Sequence, residues 1–133
     1  MEVTVADVVD EGSQALDVFL VNTATDEIVT QITDGLDIAF SSFDGAPVAI
    51  YAEVAGGSPL DGLVGSALID FNDGEFTRTE NAAPYALFGD SGGNFFGDAG
   101  LTVGNFDVEF ELYSGVRGSG DLLETVLLNF DIV

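Results

Sequence analysis

The chain contains no cysteine, no histidine, no lysine and no tryptophan, and only three prolines in 133 residues. Each absence closes a class of chemistry. Without cysteine there is no thiol nucleophile and no disulfide framework; without histidine there is no Ser-His-Asp triad and no zinc site of the usual nitrogen and sulfur kind. A metal bound here is a hard, oxygen-seeking one such as Ca²⁺. Positive charge is nearly missing too: Arg78 and Arg117 stand against 24 Asp plus Glu, for a formal charge of −22. That field repels phosphate backbones and anionic headgroups, so nucleic acid is excluded as a partner and cations or basic partners are favoured. No run reaches the 18 or more apolar residues of a membrane helix, and the start, MEVTVADVVDEG, has neither basic nor apolar signal-peptide character. Membrane insertion is not expected.

What is present is a core. Of all residues 47% are apolar, including 11 Phe, which separates this chain from acidic sequences too polar to fold. At 133 residues it reads as one domain, residues 1–133, large enough to bury roughly two-thirds of its unfolded surface. Met1 directly before a strand-like run reads as an initiator on a module taken from a longer multidomain extracellular protein.

Period-two alternation dominates. Phe106, Val108, Phe110 and Leu112 fall on one face of a strand and Asp107, Glu109, Glu111 and Tyr113 on the other. Near the end Val126, Leu128, Phe130 and Ile132 oppose Thr125, Asn129 and Asp131. Further strands are expected over Val3–Val9, Leu16–Asn22, Glu27–Thr33, Leu36–Phe40, Val48–Val54, Leu63–Phe71 and Tyr85–Phe88. Turn pairs such as Asp34-Gly35, Asp44-Gly45, Asp61-Gly62 and Asp73-Gly74 separate them. No helix is expected, and the pattern predicts an all-β antiparallel sandwich of immunoglobulin-like or jelly-roll topology with about 7–9 strands.

Two acidic loops are candidate Ca²⁺ sites. Asp70-Phe71-Asn72-Asp73-Gly74-Glu75 groups Asp70, Asn72 and Asp73 around a forced turn, although its glycine comes one position early for an EF-hand loop and no Glu stands at the twelfth position. The bland alternative is an Asp-Gly hairpin with solvated carboxylates. In Gly89 to Asp98, Asp90, Asn94 and Asp98 recur at four-residue intervals among glycines. The same loop carries Phe95 and Phe96, which in an extended segment point to opposite faces; an exposed one is a ligand contact, and the alternative has both plugging the end of the sandwich. Arg78 is placed for a structural ion pair with Glu80, Asp73 or Asp90. Glu109 and Glu111 share an outer strand face, where carboxylates ordinarily solubilise rather than catalyse. No enzyme is expected.

The run Arg78-Thr79-Glu80-Asn81-Ala82-Ala83-Pro84-Tyr85-Ala86-Leu87-Phe88-Gly89-Asp90, followed by Ser91-Gly92-Gly93-Asn94, resembles the R-T-E-N-x-A-P-Y-A-L-F-G-D signature of a β-sandwich domain. That domain recurs in large secreted bacterial proteins beside malectin-like, PA14-like and adhesin domains. Phe19-Leu20-Val21-Asn22 with Asp26, and Asp34-Gly35, extend the resemblance, which spans Leu16 to Val133. It implies a non-catalytic extracellular or cell-surface module, with Arg78, Glu80 and Asn81 as an internal scaffold for the loop running into Asp90. Where the family has a "T-A-T-P-Y" strand, this chain has Phe106 to Tyr113, FDVEFELY.

The combined expectation is a Ca²⁺-supported module for adhesion or for ancillary binding of a glycan, peptide or protein ligand, beside neighbouring domains of its own chain. Two alternatives stand next to it. One is a fibre or stalk unit that self-associates through edge strands, Val3–Val9 or Leu122–Val133. The other is a spacer whose acidity is an adaptation to high salt, where charge is screened over about 3 Å at 1 M.

Overall fold

The computed structural model describes residues 16–55, 58–60, 62–72, 74–91, 94–97 and 101–133, with Asp90, Ser91 and Asn94 described by backbone alone. The expected first strand, Val3–Val9, lies outside the described residues. Among the described residues nine strands form two sheets. In chain order they are β1 (Leu16–Asn22), β2 (Glu27–Ile32), β3 (Leu36–Ile38), β4 (Val48–Val54), β5 (Ser66–Phe71), β6 (Phe76–Glu80) and β7 (Tyr85–Ala86). A small separate hairpin, β8 (Asp90–Ser91) and β9 (Asn94–Phe95), precedes the two long strands β10 (Gly104–Tyr113) and β11 (Leu122–Ile132). The larger sheet runs β3-β11-β10-β5-β6 and the smaller β2-β1-β4-β7. The chain is an all-β sandwich, with only two short 3₁₀ turns, Phe40–Ser42 and Val116–Gly118, among the described residues.

Alternation decides which face each strand buries. On β10, Val108, Phe110 and Leu112 are fully buried, and they pair with Leu128, Val126 and Glu124 on one side and Phe71, Ile69 and Ala67 on the other. The smaller sheet presents Val18, Leu20, Ile50 and Ala52 to the same core. Burying each such Val, Leu, Ile or Phe side chain stabilises the fold by about 1.5–3 kcal/mol. Within this core Phe130, Phe106 and Phe71 stack in series at 5.8 Å between ring centroids, and Phe88 closes on Phe71 edge-on at 6.4 Å. These offset and edge contacts are the arrangements that aromatic quadrupoles favour.

Several boundaries and two elements differ from the sequence pattern, the run from Glu27 for one ending at Ile32, a residue short of Thr33. The run from Leu36 stops at Ile38, because the chain winds into a 3₁₀ turn that buries Phe43 against the edge of Phe40. The run from Leu63 begins only at Ser66, since Leu63 sits in a turn, its N–H donating to Leu60 O at 2.9 Å. Only Tyr85–Ala86 of the third run is strand. The unforeseen elements are β6 and the β8–β9 hairpin. β6 reads FTRTE and is exposed along most of its length, so it carries no apolar alternation; it exists because its backbone pairs with β5 from Phe71↔Phe76 to Ala67↔Glu80.

Candidate functional site

The acidic turn between β5 and β6 is a hairpin loop whose side-chain groups close the turn itself. Asp70 Oδ1 accepts from Gly74 N–H at 2.6 Å, and Asn72 Nδ2 donates to Glu75 Oε1 at 3.2 Å. Both Asn72 and Gly74 have positive φ, 52° and 88°, which Asn tolerates and Gly adopts freely. Asn72 also docks the loop on β10: its N–H donates to Asp107 O at 2.9 Å and its Oδ1 accepts from Asp107 N–H at 3.0 Å. That bridge spans 35 positions in the chain, so no local motif announces it. Asp73 and Asp98 lie outside the described residues, as do the side chains of Asp90 and Asn94, so the expected Ca²⁺ ligands are placed only in part. Among the described residues no group of three or more acidic side chains is arranged to hold a metal.

The Arg78 segment organises two loops. Arg78 Nε donates to Glu80 Oε2 at 2.9 Å, two residues along the same face of β6. Its guanidinium also covers Gly89, where an added Cβ would lie 2.9 Å from Nη2 and where φ is +86°. Gly89 therefore does two things that no other residue does there: it takes a left-handed turn and it leaves room for the cation. Asn81 reaches elsewhere, its Oδ1 accepting from Arg117 N–H at 2.8 Å and holding the 116–118 turn, in which Arg117 itself has φ 58°. Between these contacts Tyr85, Ala86 and Leu87 are buried, and Leu87 N–H donates to Ile50 O at 2.8 Å. The apolar half of the signature is core, and the polar half is a pair of loop anchors.

Past Gly89 the chain folds back over the outer face of the smaller sheet. Phe96 N–H donates to Gly89 O at 2.9 Å, while Gly97 fits against Thr23 Oγ1, Pro47 and the start of β4 so closely that a Cβ would lie 2.7 Å from Thr23 Oγ1. This places the Phe95 ring on Tyr51, 4.4 Å between centroids with planes 15° apart, and Tyr51 in turn stacks on Phe19 at 5.2 Å. Phe19 and Tyr51 are register partners across β1 and β4, at outward positions two residues along from the facing pair Asp17 and Glu53. Phe95 and Phe96 thus divide: the first is half-buried on the stack and the second is 53% exposed beside it. Burial, aided by the charge of Glu53, pushes the Tyr51 phenol above its usual value.

The chain matches no family model, no curated protein and no solved structure. What this surface can do follows from its chemistry. Three rings held against a sheet form a rigid, apolar, slightly electronegative face, suited to the flat apolar side of a sugar ring or to an aliphatic or aromatic side chain. The sequence names Phe19 only within the resemblance and offers Tyr51 as one of just three tyrosines in a chain without Trp, which speaks against a sugar platform; an aromatic at an outward strand position among acidic neighbours is the signal that points the other way.

The outer face of the larger sheet is of the opposite character. Asn105 Nδ2 donates to Asp131 Oδ1 at 2.6 Å and to Asn129 Oδ1 at 3.0 Å, and Asn129 Nδ2 donates to Asp107 Oδ1. Asn129 N–H donates to Asp34 Oδ1 at 2.9 Å, tying the β2–β3 turn to β11. Amide side chains here separate and satisfy Asp107 and Asp131, which stand diagonally across the ladder, two register positions apart.

Proposed function

We propose that this chain is a non-catalytic β-sandwich binding module that captures a glycan or peptide ligand on the aromatic patch of its smaller sheet, outside the cell or at its surface, in adhesion or beside other domains of a larger protein. The observation that carries this reading is the stack Phe19–Tyr51–Phe95, with Phe96 exposed at the next position in the chain. A stacked platform loses little side-chain freedom when a ligand arrives, so more of the contact energy is kept as affinity. A chain without histidine, cysteine or lysine has few of the groups that commonly act as nucleophile or general base. The resemblance around Arg78 supports an extracellular setting.

Ca²⁺ is proposed as a supporting ion for the acidic loops, through Asp70, Asn72, Asp73, Asp90, Asn94 and Asp98. The support for it is electrostatic: a net charge of −22, with Arg78–Glu80 as the ion pair among the described residues, leaves repulsion that a divalent cation relieves. The test is a glycan array and a peptide library probed with the wild-type chain and with Phe96→Ala, each in Ca²⁺ and in EDTA. Ligands retained by the wild type and lost by the variant are the expected result. Undiminished binding by Phe96→Ala refutes the platform, and ligand turnover abolished by one carboxylate substitution refutes the non-catalytic reading.

A further inference from the structure

Among the described residues, one edge of the larger sheet is only partly covered. β3 pairs in parallel with Phe130–Ile132 of β11 and no further. Just before that segment both backbone groups of Asn129 are taken by the β2–β3 turn, its N–H donating to Asp34 Oδ1 at 2.9 Å and its C=O accepting from Gly35 N–H at 2.6 Å. Backbone groups of a strand face alternate edges, so Leu127 and Thr125 aim theirs to the same side as Asn129. No strand among the described residues pairs with them there. The usual guards of such an edge, Pro and Lys, are absent from Leu122 to Asn129, and Leu127 is 60% exposed. One strand inward on the same outer face, Asp107, Glu109 and Glu111 stand opposite Asn129, Leu127 and Thr125, with Asp70 next to Glu109.

We infer that this edge takes up an extended segment of a cationic protein partner, one carrying Lys or Arg at alternate positions. A strand added beside β11 sets its outward side chains next to Leu127 and Thr125, at roughly 4.5–5.5 Å between Cβ atoms. There a Lys or Arg stem lies along Leu127 while its charged head reaches the carboxylate row behind it. Backbone pairing supplies affinity and the alternate cations supply selectivity. A second copy of this chain is the wrong occupant: it brings a charge of −22 and no lysine, so the two edges repel. The surface is separate from the aromatic patch, which lies on the other sheet, so the two proposals fail independently.

The probe is a synthetic peptide of about seven residues alternating Lys with Val, titrated into the full ¹⁵N-labelled chain. Amide shifts and slowed hydrogen exchange at Thr125 and Leu127 are expected. Affinity is expected to fall at least about tenfold when the peptide is N-methylated at alternate residues, which removes its ladder donors and keeps its charge. A similar loss is expected for Leu127→Pro, whose missing N–H serves only the open edge. If that variant does not fold, the N-methylated peptide decides alone. Equal binding by the N-methylated peptide, perturbations centred on Phe95 and Phe96, or protection of Thr125 and Leu127 by self-association without peptide each overturns the inference.

Discussion

Replacing Phe95 and Phe96 separately by Ala divides the structural ring from the contact ring. Phe95 is half-buried and stacked at 4.4 Å on Tyr51, so its removal forfeits about 0.5–1.5 kcal/mol of stacking together with about 1 kcal/mol of burial. The total, about 2 kcal/mol, corresponds to a fall in Tm of about 6–10 °C for a chain of this size. Phe96, 53% exposed and with no ring partner among the described residues, is expected to cost no more than about 0.5–1 kcal/mol. Thermal unfolding followed by circular dichroism measures both. A second readout is specific to the stack: uncovering Tyr51 lowers its raised phenol titration toward the ordinary value of about 10, which NMR-detected titration of the Tyr51 ring follows. Ligand binding is expected to fail in Phe96→Ala while its fold stays intact. Equal destabilisation by the two variants, or an unchanged Tyr51 titration in Phe95→Ala, would refute the division of labour.

Ser66 is fully buried, donating from Oγ to Gly115 O at 2.6 Å and accepting from Gly118 N–H at 2.8 Å; Ser66→Ala orphans both loop groups and is expected to cost about 1–3 kcal/mol, read by chemical denaturation. A loss under about 0.5 kcal/mol would mean that water replaces the hydroxyl. The phenol of Tyr113 is raised by its hydrogen bond to Glu111, and those of Tyr51 and Tyr85 by burial. A group that holds its proton more tightly when folded lends stability that is complete below its unfolded pKa and is lost as pH rises through the folded one, so Tm is expected to decline above about pH 10. A Tm that holds steady through that range would contradict the raised values. Tm measured in low salt, after EDTA, with added Ca²⁺, with Mg²⁺ and with matched NaCl separates two origins of the acidity: a rise of many degrees specific to Ca²⁺ is expected, and a response to NaCl alone would remove the ion and leave a salt-adapted scaffold.

The strands that face the core on one side and water on the other were legible, because period-two alternation is a local property. Phe106 to Leu112 and Val126 to Ile132 bury the faces their patterns announce, and Leu16–Asn22 and Val48–Val54 match residue for residue. An edge strand such as Phe76–Glu80 has no apolar face to declare, and its existence depends on a neighbour's backbone. The same holds for the candidate site. Composition alone excluded thiol and histidine chemistry, and the adjacent pair Phe95-Phe96 marked the loop that carries one half-buried and one exposed ring. Only the tertiary structure laid Phe95 on Tyr51 and Phe19, put Arg78 over Gly89, and joined Asn72 to Asp107 and Asn81 to Arg117. Most of those contacts span more than thirty positions in the chain, and a one-dimensional pattern records the period of a strand but not which strands the fold makes neighbours.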